Sequence, residues 1–399
     1  KRKHVEDAYK KIQADFQEFV KAHLVDKSDA PAERALPAAS PALLIAHGKL
    51  RLPMPGAESG LYVSRIVFDS KEERFVTIRK APGRMKWTVT VWESFSTNLF
   101  GESEVEMPEV KGLEFHPTKP VFLLNGPGKV YLSRGEAPEK IAQFGDEIRG
   151  VRVVGFTQDG ESVVLTIGGT MEILNLEGEV VGANEIGGRS FWARTSRRFN
   201  QLYVVGGAGD MMRVSLPDLT MEQRRPVATQ RTPGNADRDM LGGLSPDERW
   251  IGLYTQSQSL QWIPIDDKGE IGSPQRSEIF PRVLRFSRSG RRFAVVTTNE
   301  EVWIGTLQDE SPGVSVQLPG KGFADAAFAR EGKLLVTVSY DGNVRFWDGE
   351  TGSPAFSPIK LEYSLSCLAV TADAGHVIVG DEMGATILSL DWNAAGDVK

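Results

Sequence analysis

The stretch FAREGKLLVTVSYDGNVRFWDG, residues 328–349, decides the fold. It contains two runs rich in β-branched and aromatic residues, 334–339 and 344–347, with Asp341-Gly342 between them. Asp-Gly favours a two-residue hairpin turn, because both central residues of that turn take positive φ. A polar turn also separates Phe328 from the first run. The stretch therefore predicts three short strands joined by tight turns.

This pattern returns eight times along the chain. The apolar residue before the first turn stands at Phe68, Phe115, Phe156, Ala193, Leu244, Phe286, Phe328 and Val370. The steps between these positions are 47, 41, 37, 51, 42, 42 and 42 residues. A period near forty residues made of strands and turns is typical of a β-propeller, in which each repeat is one blade. We expect an all-β fold with eight blades, or seven if one of the two weakest units, near Phe68 and Ala193, is an elaborated loop.

The segment SYDGNVRFWD, residues 339–348, resembles the end of a repeat in the WD-repeat family. The other units resemble this one more loosely, with Trp92, Trp262 and Trp303 at the position of Trp347. The resemblance covers roughly residues 43–392. The family's Gly-His pair is missing, since the seventh unit has Gly320-Lys321 at that place. The resemblance implies a divergent propeller with structural roles for three residues, namely Ser339, Asp341 and Trp347.

The ends of the repeat region indicate how the ring closes. After the third strand of the last unit, near residue 390, only nine residues remain, which are too few for a turn and an ordinary fourth strand. The segment 43–52, LLIAHGKLRL, is apolar and belongs to no unit. We expect it to complete the last blade, because this pairing removes an exposed sheet edge.

Four regions follow from this division: a helix at 1–25, a Pro/Ala-rich linker at 26–42, the propeller at 43–392 and a tail at 393–399. Val5, Tyr9, Ile12, Phe16 and Phe19 form one apolar stripe at helical spacing. The stripe allows three interpretations, which are docking on the propeller or a partner chain, attachment to an assembly, and binding to a membrane surface.

Composition narrows the functional classes. The net charge of −6 argues against general binding of nucleic acid, which depends on many Lys and Arg residues. One cysteine, Cys367, excludes an internal disulfide and favours a reducing, cytoplasmic location. No apolar run is long enough to span a membrane. The chain begins at Lys1 rather than Met, so we expect a processed or truncated product, which leaves room for a membrane anchor upstream of Lys1.

Catalytic motifs are not found. The five histidines are scattered and no two have the spacing of a metal-binding pair, and we expect His116, in a turn before Pro117, to be solvated. The glycine-rich segment VVGGAGD, residues 204–210, precedes a strand rather than a helix, so we interpret it as a turn. The sequence thus predicts neither an enzyme nor a cofactor.

Two hypotheses remain for the function. The first is a non-catalytic scaffold, a subunit of a larger complex that binds a protein partner through one propeller face and the N-terminal helix. Its predicted contact residues are Tyr340, Met383, Arg84, Lys86, Phe323 and Tyr363 on the propeller and Ile12, Phe16 and Phe19 on the helix. A long basic loop at 79–86 would face an acidic partner. The alternative is a ligand-binding or enzymatic propeller that uses the central channel.

Overall fold

The computed structural model describes residues 45–52, 62–69, 71–80, 86–93, 95–96, 98–110, 112–116, 118–119, 121–126, 129–133, 138–143, 152–187, 190–206, 209–227, 241–254, 259–308, 312–313 and 316–391. The predicted helix, the linker and the tail lie outside these residues, as do Ile12, Phe16, Phe19 and Arg84. The described residues form an eight-bladed β-propeller, as predicted, with four antiparallel strands in each blade.

The first four blades each take four consecutive strands, from β2 to β17. Blade 1 comprises β2 (Tyr62–Phe68), β3 (Arg74–Lys80), β4 (Lys86–Glu93) and β5 (Leu99–Glu106). Blade 2 comprises β6 (Gly112–Phe115), β7 (Phe122–Gly126), β8 (Lys129–Ser133) and β9 (Pro138–Gln143). Blade 3 comprises β10 (Arg152–Phe156), β11 (Ser162–Ile167), β12 (Thr170–Asn175) and β13 (Val180–Glu185). Blade 4 comprises β14 (Trp192–Ser196), β15 (Gln201–Val205), β16 (Asp210–Ser215) and β17 (Met221–Pro226).

The last four blades contain the most regular repeats. Blade 5 comprises β18 (Leu241–Leu244), β19 (Trp250–Tyr254), β20 (Gln261–Pro264) and β21 (Gln275–Arg276). Blade 6 comprises β22 (Pro281–Phe286), β23 (Arg292–Thr297), β24 (Val302–Thr306) and β25 (Val316–Gln317). Blade 7 comprises β26 (Phe323–Ala329), β27 (Leu334–Ser339), β28 (Asn343–Asp348) and β29 (Pro354–Lys360), with a 3-10 turn at Arg330–Gly332. Blade 8 comprises β30 (Leu365–Val370), β31 (His376–Asp381), β32 (Gly384–Asp391) and β1 (Ile45–Arg51).

The N-terminal strand β1 closes the ring, as the sequence predicts. It pairs antiparallel with β32, from Ile45 opposite Asp391 to Arg51 opposite Thr386. Leu52 follows directly, is 2 % exposed and packs in an apolar cluster that joins blade 8 to blade 1. The strand therefore covers the outer edge of blade 8 and contributes to the seam between the first and last blades.

In several blades, a Ser or Thr hydroxyl forms the hydrogen bonds of the turn between the first and second strands, and this explains much of the repeated sequence. In blade 8, Thr371 Oγ1 donates to Asp373 at 2.7 Å and accepts the N–H of His376 at 3.0 Å. One side chain thus satisfies both ends of the turn, which is why Ser or Thr follows the apolar residue and Asp comes two positions later. The same arrangement recurs at Thr157 with Asp159 and at Ser245 with Asp247.

Strand register corrects two parts of the sequence alignment. In seven blades, the aligned apolar residue lies opposite the residue seven positions later, as Phe286 lies opposite Phe293. In blade 4, Thr195 has this relation to Leu202, so the choice of Ala193 was wrong by two residues.

The predicted alignment of four tryptophans is correct for two of them and wrong for the other two. Trp92 and Trp347 occupy equivalent places, opposite Phe75 and Leu335. Trp262 and Trp303 do not, because the residues at that place in blades 5 and 6 are Ile263 and Gly305.

The indole of Trp347 binds a residue that the family resemblance did not indicate. Trp347 Nε1 donates to Thr337 Oγ1 at 2.8 Å, and in blade 1 Trp92 Nε1 donates to Thr77 Oγ1 at 2.9 Å. Ser339 instead accepts a hydrogen bond from Arg345, which also forms an ion pair of 2.7 Å with Asp341. The indole N–H groups of Trp92 and Trp347 are thus both satisfied from the neighbouring strand of their own blade.

Candidate functional site

One end of the ring carries the turns between second and third strands together with the loops between blades, because strand direction alternates. We call this end the loop face. On blades 7 and 8 it presents Tyr340, which is 42 % exposed, Met383, which is 38 % exposed, and Tyr363. Phe280, in the loop before blade 6, is a further exposed aromatic residue there. Exposed aromatic and Met side chains are enriched at the centres of protein interfaces.

Tyr340 is held in place by an arginine of the neighbouring blade. Arg282 Nη1 donates to the Tyr340 hydroxyl at 2.7 Å, and the guanidinium carbon lies 5.7 Å from the ring centroid. Arg282 Nη2 donates to the carbonyl oxygens of Phe323 and Ala324 at 2.8 and 3.1 Å. An aromatic ring fixed in this way loses little rotamer freedom when a partner covers it.

The Asp341-Gly342 turn supports the loop that carries Tyr363. Gly342 has a φ of +81°, and a Cβ there would lie 2.8 Å from the carbonyl oxygens of both Leu361 and Tyr363. Lys360 Nζ donates to the Asp341 carbonyl oxygen. Glycine is required at this position for its backbone conformation and for the close approach of loop 361–364.

Asp341 is fixed by its neighbours. Burial acts to raise its pKa, but hydrogen bonds from Arg345 and Asn343 outweigh this effect and hold the pKa well below the usual range. The carboxylate therefore stays charged at neutral pH and keeps the turn in shape.

A bidentate ion pair between Arg51 and Asp381 lies between Tyr363 and Met383 and contacts both. Arg51, at the end of β1, donates through Nη1 and Nη2 to the two carboxylate oxygens of Asp381, with 2.7 Å for the Nη2 bond. Its guanidinium lies 5.4 Å from the Tyr363 ring centroid, and Asp381 Oδ1 accepts the Met383 N–H at 2.7 Å. The hydrogen bond that Arg51 donates to Asp381 raises the pKa of Arg51. We define Tyr340, Tyr363, Met383, Arg282 and Arg51 as the aromatic patch.

Several predicted contact residues lie elsewhere. Phe323 is 1 % exposed and packs edge-on against Trp347, so its expected place on an exposed loop was wrong. Lys86 is exposed but belongs to blade 1, where it forms an ion pair of 2.9 Å with Glu104. Arg79 is buried in β3 beside Glu102, so it does not extend a basic loop. Arg84 and the helix stripe lie outside the described residues.

His116 also differs from expectation, because it is buried rather than solvated. Its Nδ1 accepts the N–H groups of Thr118 and Lys119 at 3.0 and 2.9 Å, and its Nε2 lies 3.1 Å from the Gly160 carbonyl oxygen. These contacts assign the proton to Nε2. Burial lowers the pKa of His116, and the ring links blades 2 and 3 as a neutral structural group.

Arg282 and Arg51 are the members of the patch that sequence reasoning missed. Neither stands in a motif, and each acts on a partner far along the chain, 58 residues away for Arg282 and Tyr340 and 330 residues away for Arg51 and Asp381. Among the described residues, no three His, Cys, Asp or Glu side chains are grouped as metal ligands. Within the same residues, no helix has the length and apolar character needed to cross a membrane.

Comparisons with known proteins show the fold. No protein-family model matches the sequence, and no curated protein matches it either. Among solved structures, the chain is similar to BamB from Moraxella catarrhalis, with 12 % sequence identity and a TM-score of 0.56. The match covers 87 % of this chain and 100 % of the other.

Proposed function

We propose that the protein is a non-catalytic interaction scaffold, a subunit of a larger complex, and that it binds a protein partner through the aromatic patch. The observation that carries this proposal is the group of exposed Tyr and Met side chains on blades 7 and 8 whose positions are fixed by two arginines. Tyr and Arg are the residue types that dominate interface binding energies. The ring is rigid, since each blade packs against its neighbours, so it can present this patch without large rearrangement.

The N-terminal stripe of Ile12, Phe16 and Phe19 is the second attachment point in this proposal. Divergent membership of the WD-repeat family and a cytoplasmic location belong to the same proposal, the first supported by the sequence of residues 339–348 and the second by the single buried cysteine.

The test of the patch compares matched variants in the full chain. Tyr340→Ala with Met383→Ala should weaken partner binding by about 1–3 kcal/mol, or roughly five- to 150-fold in Kd, with an unchanged melting temperature. Met221→Ala is the control, because Met221 is similarly exposed but lies on the outer strand of blade 4. The partner is identified by affinity capture and quantitative mass spectrometry, and its Kd is then measured for each variant. Equal binding by the double variant and the wild type would exclude the patch.

The test of the helix replaces Ile12, Phe16 and Phe19 with Ser. We expect loss of partner capture or of self-association, with an unchanged far-ultraviolet circular dichroism signal from the β-propeller. Intact capture and unchanged elution on gel filtration would remove the helix from the proposal.

A further inference from the structure

The central channel holds a cavity of about 550 Å³ near the loop face. Its walls come from the inner strands of blades 1, 5, 6, 7 and 8 and from Tyr254 in the second strand of blade 5. Clefts of 300–1,000 Å³ are the usual size for small-ligand sites. The cavity therefore has room for a group larger than a few water molecules.

The charged residues of the cavity wall are unequal in sign. Arg65, Arg282 and Arg285 line it, with Asp325 as the acidic counterpart. Arg285 Nη2 lies 3.0 Å from Asp325 Oδ1, so this pair is neutral as a unit. Asp325 also accepts the backbone N–H of Ala326 at 2.9 Å. The remaining two guanidinium groups give the wall a net positive charge, although the whole chain carries −6.

Two charged residues beyond the wall, Arg194 and Glu109, act on the pKa of Arg65 in opposite directions. Burial, followed by repulsion from Arg285, lowers the pKa of Arg65, and Arg194 acts in the same direction. Glu109 and Asp325 oppose these effects. An arginine held near other cations in a partly buried site gains from a bound anion, because the anion relieves the mutual repulsion.

Arg282 contributes an unsatisfied donor. Its Nη1 and Nη2 bind Tyr340, Phe323 and Ala324, but its buried Nε has no hydrogen-bond partner among the described residues. Buried guanidinium donors without a partner are rare and need an explanation. The two serines of the wall, Ser64 and Ser366, donate their hydroxyl hydrogens to backbone carbonyl oxygens.

We propose that this cavity binds an anionic group, a carboxylate or a phosphate, held by Arg65 and by the Nε of Arg282, with Asp325 as the residue that limits its affinity. The group comes either from a small free anion or from an acidic side chain of a bound polypeptide. The site is separate from the aromatic patch except for Arg282, so it stands whether or not the patch binds a protein.

The experiment titrates the full chain by calorimetry with three probes at constant ionic strength: inorganic phosphate, citrate and a hexaglutamate peptide. We expect saturable binding of at least one probe. Arg65→Gln should weaken it by about ten- to 150-fold, the loss of one charge-assisted hydrogen bond. Arg291→Gln is the matched control, because Arg291 is exposed in the blade 6 turn between first and second strands, at the opposite end of the ring. Its binding should equal that of the wild type.

Asp325→Asn gives a test with the opposite sign, because it removes the acidic group of the wall and should tighten binding. Binding of phosphate or citrate identifies a small free anion, whereas binding of the peptide alone identifies an acidic polypeptide. The proposal fails if no probe binds, if Arg291→Gln weakens binding as much as Arg65→Gln, or if Asp325→Asn weakens it in a folded protein.

Discussion

Replacement of Leu52 by Ala tests the closure of the ring at a single side chain. Leu52 is 2 % exposed in the seam between blades 8 and 1, and its N–H donates to the Ala385 carbonyl oxygen at 3.0 Å. Truncation of a buried Leu to Ala lowers the free energy of unfolding by about 2–5 kcal/mol, through lost burial and the cavity that remains. The backbone hydrogen bond is unaffected, so the change reports on packing alone.

The expected shift in melting temperature follows from the size of the ring. An unfolding entropy of about 2.1 cal/mol/K per residue gives about 0.7 kcal/mol/K for a domain of roughly 350 residues, so Leu52→Ala should lower the melting temperature by about 3–7 °C. Leu50→Ala is the control, since Leu50 stands two residues earlier and is 37 % exposed. Its melting temperature should stay within about 1 °C of the wild type. Both are measured by scanning calorimetry and urea denaturation at one protein concentration.

Two truncations extend the same test to the whole strand. Removal of residues 1–41 keeps β1 and should leave the ring stable, whereas removal of 1–52 exposes the edge of β32 and leaves buried Asp381 without Arg51. Loss of that buried pairing and of the strand should lower the melting temperature by more than the point variant does. Similar melting for Leu52→Ala and the wild type, or for the two truncations, would show that β1 does not hold the ring closed.

Three further predictions concern single residues. Thr337→Val should lower the free energy of unfolding by about 1–3 kcal/mol in urea denaturation, because it leaves the buried indole N–H of Trp347 without an acceptor, whereas Thr337→Ser should not. Gly342→Ala should expose loop 361–364 to limited proteolysis, because its Cβ would meet two carbonyl oxygens; an unchanged cleavage pattern would contradict this. Burial raises the pKa of Cys367 to about 12, so its thiol should not react with a disulfide reagent at pH 8 until the ring unfolds, and rapid reaction of the native protein would show that the reagent reaches the thiol through the channel cavity or an open seam.

The blade count could be predicted from local patterns, and the closing strand from the strands that those patterns leave without a blade. The same turn between first and second strands occurs in blades 3, 5 and 8, where one hydroxyl, such as that of Thr371, accepts a backbone N–H and donates to an Asp two residues later. The closing strand follows from a count of strands, since the last repeat supplies only three strands and segment 43–52 belongs to no repeat. The residues that form the turn lie within a few positions of each other, so the turn can be recognised from the sequence alone.

Burial and side-chain partners were harder to predict, because the residues involved meet across blades. Blade 4 lacks Asp at the turn position, and its Ser196 binds Glu248 of blade 5, so the local pattern fails there. Phe323 and Arg79 stand beside turns in the sequence, yet their strands begin or end within the core. The wall of the channel cavity draws residues from Ser64 to Leu368, and no sequence window contains more than a few of them.

Because β1 pairs with β32, the ring can close only after almost the whole propeller has been synthesised. Strand β1 is among the first parts of the propeller to leave the ribosome, but its partner ends at Asp391, about 340 residues later. At 5–20 residues per second, β1 waits for roughly 20–70 s without a strand to pair with. During that time the open edge of β1 and the seam face of blade 1 are accessible to other chains. Exposed strand edges favour pairing between chains, so a chaperone that covers the first strands or a lower rate of synthesis should reduce misassembly of this propeller.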